Sequence, residues 1–194
     1  QKHDLWLISD EAYDEFVYQG EHVSAAAFDN ERVVSAYTFS KAYAMTGWRV
    51  GYVVAPRQLS KLMNKLIEPT IACTSSVSQK AAEAALSGPQ DCVRLMRDSY
   101  RKRRDVAVEI LKSHNLFVYE PCGAFYLLVD ISGSGMRSFD FSRALLEERE
   151  RVVAAGFTFG PSGDDYVRVA LCIDEEALVE GLQRICTFIH GRSA

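Results

Sequence analysis

The sequence predicts an α/β fold: part of a large-domain sheet, followed by a small C-terminal α+β domain. Three short runs of apolar and β-branched residues precede Pro56, as in strands that are buried on both faces of a sheet. Beyond Ser75 the pattern changes to helical periodicity, and strand-like and helical stretches then alternate. The 194 residues are 48% hydrophobic, which is enough to bury a core and too much for a disordered chain.

The first part of the chain predicts three strands. The runs are LWLIS from Leu5, VVSAYTF from Val33 and VGYVV from Val50. The first run ends in Asp10, so we expect a buried strand with a carboxylate at its C-terminal end. The sequence starts with Gln1 and enters this apolar run almost at once, and we therefore expect a fragment or a processed chain whose N-terminal part is missing.

Helical patterns dominate the middle of the chain. The stretch from Ser75 to Leu86 is alanine-rich and is stopped by Gly88. Pro89 suits the first turn of a second helix, whose apolar stripe continues to about Ser113. A helix of this length can join two domains, so we expect the domain boundary to fall within it.

The rest of the chain predicts a small α+β domain. Its strands are expected at Phe117–Glu120, Ala124–Ile131, Val152–Ala155 and Tyr166–Leu171. We expect Ser138 to cap a helix that runs to about Arg149, and Asp174 to cap a last helix. We therefore divide the chain into a first part (1–90), a connecting helix (91–113) and a small domain (114–194).

Charge and hydropathy exclude several classes of protein. The net charge of −4 argues against a protein that coats nucleic acid or an anionic membrane. The basic run between Arg94 and Arg104 is interrupted by Asp98, which favours a solvated helix face over a nucleic-acid-binding stripe. No apolar run approaches the roughly 18 residues that a membrane span needs. We expect neither nucleic acid nor a membrane as a partner.

The cysteines and histidines favour reduced thiols over a metal site. The five cysteines include no CxxC pair, and a chain of this length does not need disulfides for its stability. The four histidines are scattered, with none near a cysteine pair. We expect a cytoplasmic protein that binds no metal.

The stretch from Thr38 to Arg49 gathers groups that bind phosphate. Thr38 and Ser40 supply hydroxyls, and Arg49 supplies a guanidinium that can form two parallel hydrogen bonds. Lys41 lies among them, and a lysine near a cationic centre or in an apolar site can form a Schiff base. Taken alone, however, a lysine after a strand is more commonly a solvated surface residue.

Asp10 and Tyr13 form a second candidate cluster. A carboxylate at the end of a buried strand is costly unless it meets a positive partner. The protonated pyridine ring of pyridoxal phosphate would be such a partner. The alternative is that Asp10 is a capping residue beside a half-buried Tyr13, and these two residues alone leave both interpretations open.

Arg168 is a third candidate. It lies in the predicted strand of DDYVRVAL, where polar and apolar side chains alternate between the two faces. An arginine inside an apolar strand requires an anion. That anion is either a ligand or a structural partner such as Asp164 or Asp165, and the strand pattern leaves both open.

Together these segments resemble the class I and II aminotransferases, which are pyridoxal-phosphate enzymes of fold type I. The resemblance is carried by FSKAYAMTGWRVGY, by SDEAYDEFVY upstream, and by GAFYLLVDIS and FGPSGDDYVRVAL downstream, in the family's order. It covers nearly the whole chain and implies part of the cofactor-binding large domain followed by the small domain. The N-terminal half of the family, which supplies a helix N-terminus, a stacking ring and an Asn to the cofactor, is not in this sequence.

The resemblance implies roles around the cofactor ring. Lys41 would form the Schiff base with pyridoxal 5'-phosphate and then carry a proton between the substrate Cα and the cofactor. Asp10 would pair with the pyridine nitrogen, which keeps the ring protonated. Tyr13 would form a hydrogen bond with the 3-oxygen of the ring.

The resemblance also implies the groups that hold the phosphate and the substrate. Thr38, Ser40 and Arg49 would bind the phosphate of the cofactor. Arg168 would bind the α-carboxylate of the substrate. The implied reaction moves an amino group from an amino acid to a 2-oxo acid.

Two other functions share parts of this pattern. A carbon–sulfur lyase on the same scaffold would keep Lys41, Asp10 and Arg49, and a transcription regulator could carry an aminotransferase-like effector domain. The TGWRVGY context favours transamination. Because the sites of the family are shared across a dimer interface, the resemblance implies a homodimer, and we expect this stretch of chain to be inactive alone.

Overall fold

The computed structural model describes residues 3–192 of the chain. These residues fall into two compact units, which meet in sequence between Arg97 and Asp98. The division lies inside the long helix Asp91–Ser113, and each unit has its own sheet.

The first unit is built on a small sheet. In chain order, its strands and α-helices are β1 (Leu7–Asp10), β2 (Val33–Thr38), α1 (Phe39–Ala42), β3 (Gly51–Val54), α2 (Arg57–Ile71) and α3 (Ser76–Ser87). The strand order is β1-β2-β3, with β1 parallel and β3 antiparallel to β2. The three strands predicted before Pro56 and the alanine-rich helix are therefore confirmed.

Strands β1 and β3, at the two edges of the sheet, are not buried, contrary to the prediction, and all four residues of β3 are exposed. Leu7 is 51% and Ile8 is 76% exposed. The reason is that β1 lies at the edge of the sheet and nothing in residues 3–192 covers it. A core cluster of this unit is formed by side chains from α1, from the chain between α1 and β3, and from α3: Phe39, Met45, Val50 and Ala82.

Helix α2 was not predicted from the sequence. Pro56 precedes it and Pro69 lies in its last turn, and prolines normally mark helix ends because they lack the N–H and clash with the preceding turn. Its apolar residues, such as Leu62 and Leu66, follow the helical spacing but are exposed. No side chain of α2 is buried by the part of the chain that the structure describes.

The second unit packs helices on an antiparallel sheet. Its elements are α4 (Asp91–Ser113), which begins in the first unit, β4 (Tyr126–Asp130), α5 (Ser138–Arg149), β5 (Ala154–Ala155), β6 (Tyr166–Ala170) and α6 (Glu175–His190). The strand order is β4-β6-β5. Buried apolar side chains of α5, α6 and the strands form its core, in which the rings of Phe141 and Phe188 meet edge to face at 5.3 Å.

One predicted strand of this unit does not form. Residues 117–120 contribute only an isolated bridge, between Phe117 and Val129. Pro121 follows immediately, and it has no N–H with which to extend the ladder. The prediction of a strand at 117–120 is therefore wrong, whereas the strands at β4, β5 and β6 are confirmed with shorter bounds.

The two predicted helix caps have different outcomes. Ser138 is the first residue of α5 and does not cap it. Asp164 accepts a hydrogen bond from the Ser138 N–H at 2.9 Å, so a residue distant in sequence satisfies this helix end. Asp174 does cap α6, because its carboxylate accepts from the Ala177 N–H at 2.8 Å.

Two features are absent from residues 3–192. No helix in this range is long and apolar enough to cross a membrane. Within the same residues, no three side chains of His, Cys, Asp or Glu come together as metal ligands. The five cysteines, all within the described residues, form no disulfide, and Cys186 is the buried one.

Candidate active site

The first sheet brings most of the predicted site residues to one edge. Because β1 and β2 are parallel, with Asp10 opposite Ala36, their C-terminal residues Asp10 and Thr38 leave the sheet at the same edge. β3 runs in the opposite direction and pairs Gly51 with Thr38, so its first residue lies at this edge as well. Ligands of open α/β sheets bind outside the carboxyl ends of the parallel strands. We call the following residues the sheet-edge cluster: Asp10, Tyr13, Thr38, Ser40, Lys41 and Arg49.

A short helix that begins where β2 ends carries Lys41. The Thr38 hydroxyl caps α1 by accepting from the Ser40 N–H at 3.1 Å. Phe39 and Ala42, on either side of Lys41 in this helix, are buried. The half-buried lysine is therefore attached to backbone that is anchored in the core of the unit. The Thr38 hydroxyl, while it accepts at the cap, can still donate its proton to a ligand.

Arg49 lies in a strained backbone conformation. Its φ is 51°, in the left-handed region that residues other than glycine rarely adopt. Its Nη1 donates to the Thr46 carbonyl at 2.8 Å. No carboxylate within residues 3–192 pairs with the guanidinium, which is exposed. Strain of this kind concentrates at binding sites, and the remaining N–H groups are suited to hold an anion.

Asp10 is an exposed carboxylate. Its Oδ1 accepts from the Ala12 N–H at 3.2 Å, so the capping interpretation is realised for one oxygen. No cation in the described part of the chain pairs with Asp10, which leaves acceptor capacity for a ligand. Tyr13 is half-buried in the turn that follows, and its carbonyl accepts from the N–H of the fully buried Phe16 at 3.0 Å. The turn therefore holds Tyr13 beside the strand end.

A buried charge next to Asp10 was missed by the sequence analysis. Glu11 is only 4% exposed. Its Oε1 accepts from Ser24 Oγ at 2.9 Å, Ala25 N at 3.2 Å and Ser35 Oγ at 3.2 Å, and its Oε2 lies 2.6 Å from His22 Nε2. Burial by itself raises the pKa of Glu11, but the hydrogen bonds that it accepts, from Ser24 above all, outweigh burial and hold this pKa below its ordinary value. We call these residues the Glu11 network: Glu11, His22, Ser24 and Ser35.

Arg168 belongs to the second unit and contacts two aromatic rings. In the sheet it is opposite Leu128 of β4 and Ala154 of β5. The guanidinium carbon lies 4.2 Å from the ring centroid of Tyr126 and 4.4 Å from that of Phe159. These two cation–π contacts restrict the position of the guanidinium. The group lines a cavity of about 160 Å³, whose other walls are largely aromatic and aliphatic. The sequence analysis did not predict the two rings.

The structural partner considered for Arg168 is engaged elsewhere. Asp164 pairs with Arg137 at 2.5 Å and accepts from Ser138 Oγ at 2.7 Å. The hydrogen bonds from Ser138, assisted by Arg137, hold the pKa of Asp164 below its usual value. No carboxylate within residues 3–192 pairs with Arg168, so the alternative of a structural ion pair is wrong. A half-buried arginine without a counter-ion is suited to bind a carboxylate in two parallel hydrogen bonds.

The comparisons with known sequences place this geometry among related proteins. The profile of the family described as aminotransferase class I and II matches residues 1–185. The chain is 38% identical to a probable N-acetyl-LL-diaminopimelate aminotransferase of Bacillus subtilis, over 95% of this chain and 47% of that protein. It is 39% identical to an aspartate aminotransferase of Pyrococcus horikoshii, over 98% of this chain and 50% of that protein. The chain thus spans about half the length of the curated relatives that it matches.

Solved structures show the same similarity. The crystal structure of an aromatic aminotransferase from Pyrococcus horikoshii superposes with a TM-score of 0.93 and 36% identity, over 98% of this chain and 52% of that chain. An aspartate aminotransferase from Thermotoga maritima gives a TM-score of 0.89 and 32% identity, over 97% of this chain and 49% of that chain. The α/β fold predicted from the sequence, as part of a larger fold, is confirmed by these matches.

Proposed function

Since this chain belongs to the aminotransferase class I and II family, we propose that the whole protein moves an amino group from an amino acid to a 2-oxo acid with pyridoxal 5'-phosphate as its cofactor. The observation that carries the proposal is the sheet-edge cluster. One edge of the first sheet gathers a carboxylate, hydroxyls, an amine and a guanidinium from three strand ends. The relatives are about twice as long as this chain, so the activity is proposed for the whole protein.

The donor set of the cluster fits the cofactor. Pyridoxal phosphate, when bound, supplies an aldehyde that condenses with amines and a protonated ring that accepts an electron pair. Asp10 would hold the proton on the pyridine nitrogen, for which its unpaired carboxylate is suited. Tyr13 would donate from its hydroxyl to the 3-oxygen. Asp10 is the last residue of β1, and Tyr13 follows three residues later. Their carboxylate and phenol suit the chemistry of these two ring positions.

Thr38, Ser40 and Arg49 would bind the phosphate. The two hydroxyls supply neutral donors, and the guanidinium supplies the charge-assisted ones. Arg49 lies two residues before Gly51, which pairs with Thr38 in the sheet, so these residues come from the same edge. Lys41 would link covalently to the cofactor aldehyde. Once the substrate amine has displaced Lys41 from that link, its free Nζ would take the proton from the substrate Cα.

Arg168 would bind the α-carboxylate that all amino acid substrates share. The two rings that contact its guanidinium hold it in position, and its N–H groups can donate two parallel hydrogen bonds to a carboxylate. The proposed enzyme therefore places the cofactor groups in the first unit and the group that binds the substrate carboxylate in the second.

The proposal extends to the organisation of the whole protein. Residues 1–90 would be the C-terminal part of the cofactor-binding large domain, 91–113 the connecting helix and 114–194 the small domain. We also propose a homodimer in the cytoplasm. The five cysteines form no disulfide within residues 3–192, which supports a reducing compartment, and the dimer rests on the shared sites of the family.

The two alternative functions gain no support from the structure. A carbon–sulfur lyase would use the same cluster, so the geometry does not favour it over transamination. The regulator would need a DNA-binding module, and the matched relatives cited above are named as aminotransferases. Transamination is therefore the function that the site supports best.

The test is cofactor capture and product analysis on the whole protein. Borohydride reduction after incubation with pyridoxal phosphate should fix the cofactor on the peptide that contains Lys41, and label on another lysine would contradict the assignment. With an amino acid and a 2-oxo acid, the enzyme should form a new 2-oxo acid in equal amount to the new amino acid. Release of ammonia with pyruvate or a homologue would show elimination and would favour the lyase.

A further inference from the structure

Glu11 lies one residue beyond Asp10, and the proposed function gives it no role. A buried carboxylate is costly unless hydrogen bonds and a cation compensate it. Both oxygens of Glu11 are compensated, Oε1 by the hydroxyls of Ser24 and Ser35 and Oε2 by the imidazole of His22. Since replacing such buried charges with apolar residues is often neutral or stabilising, stability alone does not explain this carboxylate.

The Glu11 network lies behind Asp10, on the opposite face of the sheet. Side chains of neighbouring residues in a strand point to opposite faces. In the ladder of β1 and β2, Ser9 pairs with Ser35 and Asp10 with Ala36, so Ser35, which donates to Glu11, is on the face away from Asp10. The Glu11 N–H extends the ladder by donating to the Ala36 carbonyl at 2.9 Å. The strand end is therefore fastened just after Asp10.

The network also ties the connection between the two strands to the sheet. Ser24 and His22 belong to the chain between β1 and β2, and Ser35 belongs to β2. Ser24 Oγ accepts a second hydrogen bond from the Tyr37 hydroxyl at 3.0 Å. Replacing the Glu11 carboxylate with an amide would leave one acceptor oxygen for two hydroxyls and an imidazole, which would loosen the end of β1.

We propose that Glu11 and His22 are positioning residues that hold Asp10 where a carboxylate must meet the pyridine nitrogen of the cofactor. The inference rests on the proposed function and goes beyond it, since neither residue is among the groups assigned to the cofactor or the substrate. A displacement of about 1 Å in a reacting group can cost about 100-fold in rate. Fixing the strand end from the rear keeps the other face of the sheet open for the ligand.

The test compares variants of the whole protein. Glu11→Gln keeps the size of the side chain and removes its charge, and His22→Leu removes the imidazole. Glu21→Gln is the matched control, because it removes the same charge from an exposed position next to His22. For each variant, three quantities are measured: the affinity of the apoprotein for pyridoxal phosphate, kcat and KM for an amino acid donor, and the melting temperature of the apoprotein.

We expect Glu11→Gln and His22→Leu each to weaken cofactor affinity and lower kcat by about 10-fold, as is typical when a supporting partner of a ligating group is lost. KM for the donor should not change, because Arg168 and not Asp10 binds the carboxylate. His22→Gln keeps an N–H donor toward Glu11 and should restore most of the affinity. Glu21→Gln should behave as the wild type in all three measurements.

The outcomes separate the inference from the proposed function. A wild-type protein that does not bind pyridoxal phosphate contradicts the proposed function, and the inference fails with it. If the wild type binds and turns over while Glu11→Gln and His22→Leu keep its affinity and kcat, the function stands and the inference is wrong. A lower melting temperature with unchanged affinity and kcat shows a structural role alone and also overturns the inference. If Glu11→Gln does not fold, His22→Leu decides by the same criteria.

Discussion

The two units differ in how they bury their apolar side chains. Of the buried apolar residues within 3–192, eight belong to the first unit and nineteen to the second. The second unit closes its core between α5, α6 and its sheet, whereas the first leaves apolar side chains of β1, β3 and α2 exposed. The apolar pattern of LWLIS therefore predicts a buried strand, but the described residues of this chain do not cover it.

The chemistry follows the same division. The open first unit carries the sheet-edge cluster, in which Arg49 has a strained backbone. The closed second unit carries Arg168 as a single cation in contact with two rings. We therefore expect changes in the first unit to act on the chemical step and changes in the second to act on substrate binding and stability.

The largest effect should come from Lys41. Lys41→Ala in the whole protein removes both the covalent link and the proton carrier, so we expect kcat to fall by about 1,000-fold or more. The measurement is steady-state transamination with several amino acids, beside Lys65→Ala, an exposed lysine of α2, as control. If the kcat of Lys41→Ala is close to that of the control, Lys41 does not perform the chemical step, and the role proposed for the first unit is wrong.

Truncation of a buried leucine in the second unit should lower the free energy of unfolding more than truncation of a leucine in β1 of the first unit. Leu145 is fully buried in α5, and Leu145→Ala should lower the free energy of unfolding by about 2–5 kcal/mol through lost burial and a cavity. Leu7 is half-exposed in β1, so Leu7→Ala should lower the free energy of unfolding by only about 0.5 kcal/mol. Urea unfolding of the 194-residue chain provides both values. Equal losses of unfolding free energy for the two variants would show that β1 is covered in solution and would contradict the difference between the two units.

The sequence could predict most of the strands and the long helix, because each follows from a local pattern. It could not predict the surroundings of Arg168. Tyr126 and Phe159 are brought to it by the register of β4 against β6 and by a loop, and neither leaves a local signal. The Glu11 network was missed for the same reason, since its donors come from distant stretches that only the fold assembles. Helix α2 was missed because its prolines masked a helical period.

Substrate binding should respond to a conservative change at Arg168. Arg168→Lys keeps the charge but loses the two parallel hydrogen bonds and the stacked plane, so kcat/KM should fall by about 10- to 100-fold for every amino acid donor. Most of the change should appear in KM. Arg137→Lys is the matched control, because Arg137 pairs with Asp164 in the same unit. Kinetics of Arg168→Lys that equal those of the control would mean that this arginine is structural.

The smallest expected effect is on the stability of the second unit at acid pH, when Asp164 is replaced. A carboxylate whose pKa is lower in the folded state stabilises the fold above its unfolded pKa, and this contribution disappears as the pH falls through the folded value. For Asp164 the ordinary value is 3.8, and hydrogen bonds from Ser138 and Arg137 lower it. We expect Asp164→Asn to melt below the wild type at neutral pH, with the gap shrinking as the pH falls below 3.8. Asp140→Asn, whose exposed carboxylate pairs with Arg143 at 3.3 Å, is the matched control and should show a smaller gap. If the difference in melting temperature between Asp164→Asn and the wild type is constant with pH, the hydrogen bonds of residue 164 to Ser138, and not its charge, stabilise the start of α5.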